Sequence, residues 1–99
     1  MTITFDPPIH PGEILREQYL EPLSLSAGAL ARLLNVPRTR IERIAAEQTS
    51  ITPDTALRLA KHFGTTPNFW LNMQTAYDLA VERRAKAAEI AAIPERLHA

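Results

Sequence analysis

Apolar residues recur every three or four positions along five stretches of this chain, which is the spacing of one buried face of an α-helix. No stretch of useful length alternates apolar and polar residues with the period of two that a half-buried strand shows. The pattern therefore predicts an all-α protein. Its helices are expected at residues 11–20, 26–34, 37–46 and 53–63, with a fifth beginning at residue 67.

Proline, hydroxyl and glycine positions mark where these helices begin and end. Four prolines open a predicted helix, because a first helical residue needs no N–H and a helical φ: Pro11, Pro37, Pro53 and Pro67. Ser26, Thr52 and Thr66 supply hydroxyls at expected N-cap positions. We also expect His10 to cap the first helix and Gly64 to terminate the fourth.

The inward faces of the last two helices hold much of the predicted core. In the fourth helix the side chains expected to be buried are Leu57, Leu59 or Ala60, and Phe63. The fifth helix has the clearest apolar period, and most of its stripe is expected to be core, with a small share at a dimer seam. That stripe consists of Phe69, Trp70, Met73, Ala76, Tyr77, Ala80 and Val81.

Beyond this stripe, residues 82–93 continue as an alanine-rich, charged sequence of high helix propensity. A helix over residues 67–93 would be about 40 Å long at about 1.5 Å per residue. Since a domain of this size has a radius of gyration of about 13 Å, such a helix must pack on a partner, break after about Lys86, or fray. We therefore predict a domain over residues 1–81 and a helical extension or flexible tail over residues 82–99.

The second and third predicted helices are short and are joined by Asn35 and Val36, as in a helix-turn-helix. Ala31 is small where the two helices must approach closely, and Asn tolerates the positive φ that such a turn commonly needs. Ile41 and Ile44 would hold the third helix against the second. This spacing predicts that the third helix is a recognition helix for DNA.

The outward face of that helix carries the candidate DNA-binding side chains: Arg38, Thr39, Arg40 and Arg43. An arginine can bind a phosphate or read guanine through its O6 and N7 atoms. Ser26, at a helix N-terminus, is a further candidate for a phosphate contact. Residues 26–46 hold four arginines and one glutamate, a net charge of +3, whereas residues 1–21 hold four acids and one arginine, a net charge of −3.

Composition narrows the class of protein further. The 99 residues suit one domain, and their 45% hydrophobic and 22% charged content suits a folded, soluble chain. The absence of cysteine excludes disulfides and thiolate chemistry. No apolar run reaches the roughly 18 residues of a membrane span, and the first residues lack the pattern of a signal peptide. We therefore expect a cytoplasmic protein without a membrane partner.

Nothing in the sequence indicates catalysis, a cofactor or a metal site. The three histidines, His10, His62 and His98, are scattered and lack metal-ligand spacing. Glu13 and Glu17 lie one helical turn apart, but helix surfaces carry such pairs routinely and no pocket residues accompany them. The glycines are isolated and form no phosphate-binding loop. The chain is predicted not to be an enzyme.

Three segments resemble one known family over about residues 8–80. They are residues 10–23 (HPGEILREQYLEPL), residues 25–32 (LSxxxLAR) and residues 51–74 (ITPDTALRLAKHFGTTPNFWLNMQ). These are similar to the HigA antitoxins, often called virulence-associated protein I, within the Cro/C1-type (XRE) helix-turn-helix class. The resemblance implies a five-helix lambda-repressor-like DNA-binding domain that forms a homodimer and represses its own operon at double-stranded operator DNA. It also implies neutralisation of a HigB-like toxin, a ribosome-dependent mRNA endonuclease.

The sequence departs from this family at two positions near the expected DNA surface. Ala27 stands where a Gln usually anchors the second helix to DNA, and Glu47 stands in a loop that usually carries basic residues. Each lost phosphate contact lowers the salt dependence of binding by about one unit. Two alternatives therefore stay open: a solitary transcriptional regulator without a toxin partner, and a protein-interaction module with weakened DNA binding.

Overall fold

A computed structural model describes residues 7–97, and within them the chain forms helices and no β-strand. In order, the elements are α1 (Pro11–Ile14), a π-helical segment (Leu15–Leu20), α2 (Ala27–Leu34), α3 (Arg38–Ala45), α4 (Pro53–Phe63) and α5 (Pro67–Ala91). The all-α, five-helix prediction is confirmed, because α1 and the π-helical segment together occupy the first predicted helix.

The first predicted helix changes its hydrogen bonding after one turn. The Glu21 N–H bonds to the carbonyl oxygen of Arg16, five residues earlier, at 2.9 Å. The predicted cap is confirmed, since Nδ1 of His10 accepts a hydrogen bond from the Gly12 N–H at 2.9 Å. Gly12 also lies against α3, where a Cβ atom would come within 1.8 Å of the carbonyl oxygen of Ile44. Only glycine allows α1 to approach α3 this closely.

The predicted hydroxyl caps are all present. Ser26, Thr52 and Thr66 each accept a hydrogen bond from the backbone N–H three residues later, at 3.0, 3.3 and 3.1 Å. Gly64 ends α4 with φ of 71°, as expected. The prediction for Pro37 is wrong by one residue, because its ψ of 142° is extended and makes it the N-cap of α3 instead of the first helical residue.

The core lies between the π-helical segment, α2, α3, α4 and the start of α5, with Trp70 completely buried in it. The Trp70 ring packs on Tyr19 at 5.1 Å between centroids, and its Nε1 donates a hydrogen bond to Oγ1 of Thr65 at 2.8 Å. The prediction that Leu57 is buried is wrong, since 60% of this residue is exposed.

The buried face of α4 consists of Thr55, Ala56, Leu59 and Ala60. Small side chains on this face let α4 lie close to its neighbours, and the apolar period alone does not distinguish this face from that of Leu57.

The predicted stripe of α5 is buried only in part. Trp70 is core and Met73 and Tyr77 are half-buried, whereas Phe69 and Val81 are exposed, contrary to the prediction that they belong to the core. Beyond the half-buried Tyr77 and Ala80, α5 no longer packs on the bundle. The apolar period of the helix continues there, but no core lies against it. The helix bends at Lys86, whose φ of −120° and ψ of 20° are not helical, and then continues to Ala91.

This projecting helix sets the shape of the molecule. Its principal extents are 54 × 26 × 26 Å, and its radius of gyration of 16.5 Å exceeds the about 13 Å of a compact domain of this size. The predicted boundary between residues 1–81 and 82–99 stays a prediction, and residues 1–6 and 98–99, including His98, lie outside the described residues. Within the described residues, no helix is both long enough and apolar enough to cross a membrane.

Candidate nucleic-acid interface

The turn between α2 and α3 has the geometry that the sequence predicts. Asn35 adopts the left-handed conformation with φ of 58°, and the Val36 N–H bonds back to the carbonyl oxygen of Ala31 at 3.0 Å. Asn reaches this region more readily than most non-glycine residues. From α4, Nη1 of Arg58 donates a hydrogen bond to the carbonyl oxygen of Leu34 at 2.9 Å. The turn is therefore fixed by its own backbone and by α4.

Apolar side chains set the orientation of α3. Ile41 and Ile44 are fully buried in the core together with Ala31 and Leu30 of α2, as predicted. Because they lie three residues apart, they occupy one face of α3 and leave the opposite face to solvent. Burying each of these side chains stabilises this orientation by about 1.5–3 kcal/mol.

The outward positions carry the predicted site residues. Arg38, Thr39 and Arg43 are exposed, and Ser26 is exposed at the start of α2, whereas Arg40 is half-buried. The stem of Arg38 lies across the first turn of α2, where a Cβ atom on Gly28 would come within 2.9 Å of Cδ of Arg38. The Ser26 oxygen accepts a hydrogen bond from Ala29, which leaves its O–H available to donate.

The three arginines of α3 differ in their electrostatic surroundings. Nε of Arg38 lies 3.6 Å from Oε2 of Glu42, a loose pair of two exposed side chains. Nη1 of Arg40 lies 2.5 Å from Oδ2 of Asp54 on α4. Among residues 7–97, Arg43 has neither an ion pair nor a side-chain hydrogen bond. The three arginines therefore share the outward side of α3, as predicted, but two of them, Arg38 and Arg40, are paired there with carboxylates of the chain itself.

A groove of about 480 Å³ runs between α3 and the segment that leads to α4. Its two walls carry Thr39, Arg40 and Arg43 on one side and Thr49, Ser50 and Thr52 on the other. Hydroxyl and guanidinium groups all donate hydrogen bonds, and phosphate oxygens and the guanine edge accept them. Asp54 of α4 also lines the groove, so its donors, which suit a nucleic acid, stand beside one carboxylate that is paired with Arg40.

The loop after α3 contains the acidic departure, Glu47, in a left-handed conformation with φ of 63°. Its Oε2 lies 3.2 Å from Nη2 of Arg16, whose Nη1 donates to the carbonyl oxygen of Ala45. Arg16 thus fixes the end of α3 and pairs with Glu47, but it also pairs with Glu17 at 3.1 Å, so it offsets the negative charge of Glu47 only in part. This acid is therefore less unfavourable beside a phosphate than its position in the sequence suggests.

Sequence reasoning missed three charged residues that support this surface, namely Arg16, Asp54 and Arg58. The pair of Asp54 and Arg58 was detectable, because these residues lie four positions apart on one helix. The pairs of Arg40 with Asp54 and of Arg16 with Glu47 join residues 14 and 31 positions apart. No periodicity in the sequence brings such residues together.

Comparisons with known proteins identify the family of this chain. A helix-turn-helix family model matches residues 17–70. Virulence-associated protein I of Dichelobacter nodosus is 56% identical over 88 residues, which cover 89% of this chain and 82% of that protein.

Two solved structures are similar at 42% sequence identity. The structure described as "Pseudomonas aeruginosa antitoxin HigA with higBA promoter" has a TM-score of 0.87 and covers 92% of this chain and 99% of its own. The antitoxin GraA in complex with its operator has a TM-score of 0.88 and covers 100% of this chain and 99% of its own. The chain belongs to the helix-turn-helix family of the Cro/C1 type, among the relatives named HigA antitoxins and virulence-associated protein I.

Proposed function

We propose that this chain is the antitoxin of a type II toxin–antitoxin pair and represses its own operon by sequence-specific binding to double-stranded DNA. One observation carries the DNA-binding part: the buried Ile41 and Ile44 turn the polar face of α3 outward beside a groove lined with hydrogen-bond donors. The similar HigA and GraA structures, whose descriptions name a promoter and an operator, support the same reading. The proposed role is binding, without an enzymatic step.

In this proposal α3 enters the major groove, which is wide enough to admit a helix. Arg40 and Thr39 face the base edges, while Arg38 and Arg43 bind phosphates. Ser26 donates its hydroxyl to the backbone at the start of α2. Arg43 is the clearest phosphate ligand, because its guanidinium is exposed and unpaired within the described residues.

The proposal includes a homodimer that uses the outer half of α5. Leu79 and Ile90 are exposed there, about three turns apart on one face of a part of the helix that leaves the bundle. Pairing with a second copy would bury these side chains. A two-fold dimer then requires two half-sites whose centres lie about 34–36 Å apart, or a multiple of that distance.

The toxin partner in this proposal is a HigB-like mRNA endonuclease, and this part rests on the relationship to HigA antitoxins. The rival, a solitary regulator, uses the same DNA-binding face and needs no toxin. An adjacent reading frame for a small basic protein, whose product copurifies with this chain and loses its toxicity on coexpression, distinguishes the two. If no such product binds, the antitoxin part of the proposal is wrong.

DNA binding is tested with a duplex that carries the region upstream of the gene itself. We expect Arg43→Ala to weaken binding and to reduce the slope of log K against log salt by about 0.9 for each copy of the chain that is bound. Arg96→Ala is the matched control, because it removes the same charge from the segment after α5. If the two variants bind this duplex equally well, the assignment of Arg43 is wrong. If the unmodified chain shows no salt-dependent binding to this duplex, the hypothesis that remains is the protein-interaction module.

A further inference from the structure

Asp54 lies outside the recognition helix, yet its carboxylate contacts one of the arginines of that helix. It occupies the first turn of α4. Its Oδ2 accepts hydrogen bonds from Nη1 of Arg40 at 2.5 Å and from Nε of Arg58 at 3.1 Å. An acid on a surface that should bind DNA opposes binding to phosphates, so its position there needs a reason.

The Asp54 carboxylate is held firmly from two directions. The first turn of α4 favours a negative charge, because the helix dipole is positive at that end. Arg58 is itself fixed, since its Nη1 donates hydrogen bonds to the carbonyl oxygens of Leu34 and Asn35 at 2.9 and 3.4 Å. Hydrogen bonds from Arg40 and Arg58 keep the pKa of Asp54 below its usual range, so the carboxylate is ionised at neutral pH.

This arrangement leaves one edge of the Arg40 guanidinium available. Asp54 engages Nη1, and Nη2 and Nε of Arg40 have no partner among residues 7–97. A guanidinium is a planar fork of five N–H donors, and guanine accepts two of them through O6 and N7. Arg40 therefore combines a side chain that is already ordered with a pair of donors suited to a guanine.

We propose that Asp54 is a specificity-determining positioning residue, which holds Nη1 of Arg40 so that the remaining N–H edge is offered to a guanine of the operator. The inference rests on the proposed function. It also gives the two kinds of arginine different tasks: the compensated Arg40 reads a base, and the unpaired Arg43 binds phosphate. Non-specific binding depends on neutralising phosphates, and Asp54, which Arg40 shares with Arg58, already offsets part of the charge of Arg40.

The test compares the promoter duplex with a shuffled duplex of the same length and composition, over a range of salt concentrations. We expect Asp54→Asn to bind the shuffled duplex more tightly, with a slope of log K against log salt that is steeper by about 0.9 for each copy of the chain that is bound. The ratio of promoter affinity to shuffled affinity should fall at least about fivefold, the lower end of the discrimination given by a bidentate contact. A change that only weakened the fold would reduce both affinities together.

Glu42→Gln provides the matched control for Asp54→Asn. It removes the same negative charge from the same surface, but Glu42 pairs with Arg38 instead of Arg40. We expect both affinities to rise by a similar factor and their ratio to stay unchanged. If the ratio of promoter affinity to shuffled affinity falls equally in Asp54→Asn and Glu42→Gln, the loss of charge alone explains the effect and the inference is wrong.

Arg40→Lys gives a second route that does not require Asp54→Asn to fold. Lysine keeps the charge but lacks the planar fork, so the ratio should fall while the salt slope stays the same. When Asp54→Asn is added to the Arg40→Lys variant, the ratio of promoter affinity to shuffled affinity should not fall any further. If the wild-type chain prefers its promoter and Asp54→Asn keeps that preference, the role inferred for Asp54 is wrong while the proposed function stands. If the wild-type chain shows no preference for its promoter, both the proposed function and the role inferred for Asp54 are wrong.

Discussion

The two halves of α5 belong to one helix but have different surroundings. The first half contains the fully buried Trp70 and the buried Gln74, whose Oε1 accepts a hydrogen bond from the Ile51 N–H at 2.8 Å. The second half, from Thr75 to Ala91, contains no buried residue. The first half is therefore held by tertiary packing, while the second depends on its own helix propensity.

This difference shows why a regular apolar period does not by itself define a core. Ala-rich sequence favours a helix, but the bend at Lys86 divides the second half into segments shorter than the about 12–15 residues below which an isolated helix is marginal in water. In the second half, Lys86 pairs with Glu82 at 2.8 Å, but both side chains are exposed and such a pair adds little to stability. A second copy that covers Leu79 and Ile90 would give this half the packing that the bundle gives the first.

The largest effect is expected in the first half. Trp70→Ala should lower the free energy of unfolding by about 3–5 kcal/mol, because it removes a fully buried ring and leaves a cavity. Urea unfolding followed by circular dichroism measures this loss. Phe69→Ala is the control on the neighbouring ring, which is 38% exposed, and should have a clearly smaller effect. A folded Trp70→Ala variant that lost only self-association would place this ring at a dimer seam.

A smaller effect on folding, and a large one on assembly, is expected in the second half. Ile90→Glu introduces a charge where 57% of the isoleucine is exposed, so the unfolding free energy of the monomer should change by no more than about 0.5 kcal/mol. If α5 pairs with a second copy, the charge enters that interface twice. Sedimentation at several protein concentrations should then show the variant as a monomer at concentrations where the wild-type chain is a dimer.

Ala88→Glu is the matched control for Ile90→Glu, because it adds the same charge about half a turn away on the same helix. It should leave the dimer intact. Equal dissociation of both variants would show that charge, and not the loss of one apolar face, separates the copies. A wild-type chain that stays monomeric throughout would remove the proposed dimer.

Local chemistry explains which parts of the fold could be predicted from the sequence. Caps such as Thr52, the terminator Gly64 and the left-handed Asn35 depend on a few neighbouring residues, so their roles are visible in the chain itself. The orientation of α3 follows equally well from Ile41 and Ile44, because their spacing allows only one buried face.

Features that depend on distant residues could not be predicted in this way. The burial of Ala56 in place of Leu57 is decided by how closely α4 approaches its neighbours. The environment of Arg40 is decided by Asp54, which only the fold brings within reach. In the candidate site, the sequence therefore identified the side chains that face outward but not their partners.

The smallest expected effect concerns His10, which lies where the two halves of α5 meet. Its ring packs edge-on against Tyr77 at 4.8 Å between centroids, and its Nδ1 accepts the Gly12 hydrogen bond that caps α1. Burial lowers the pKa of His10 below the usual 6.5, although Glu47, Asp78 and a backbone hydrogen bond at Thr49 oppose the shift. The unfolded chain therefore binds this proton more readily than the folded one does.

The stability that His10 contributes is fully present above about pH 6.5 and is lost as the pH falls through the folded value. We expect the urea midpoint of the wild-type chain, at one protein concentration, to decrease between pH 7.5 and pH 5.5. His10→Asn keeps a capping acceptor but does not titrate, so its midpoint should decrease less over this range. If the urea midpoints of the two proteins decrease in parallel, other groups cause the pH dependence. The contact of His10 with α1 and Tyr77 then does not contribute to it.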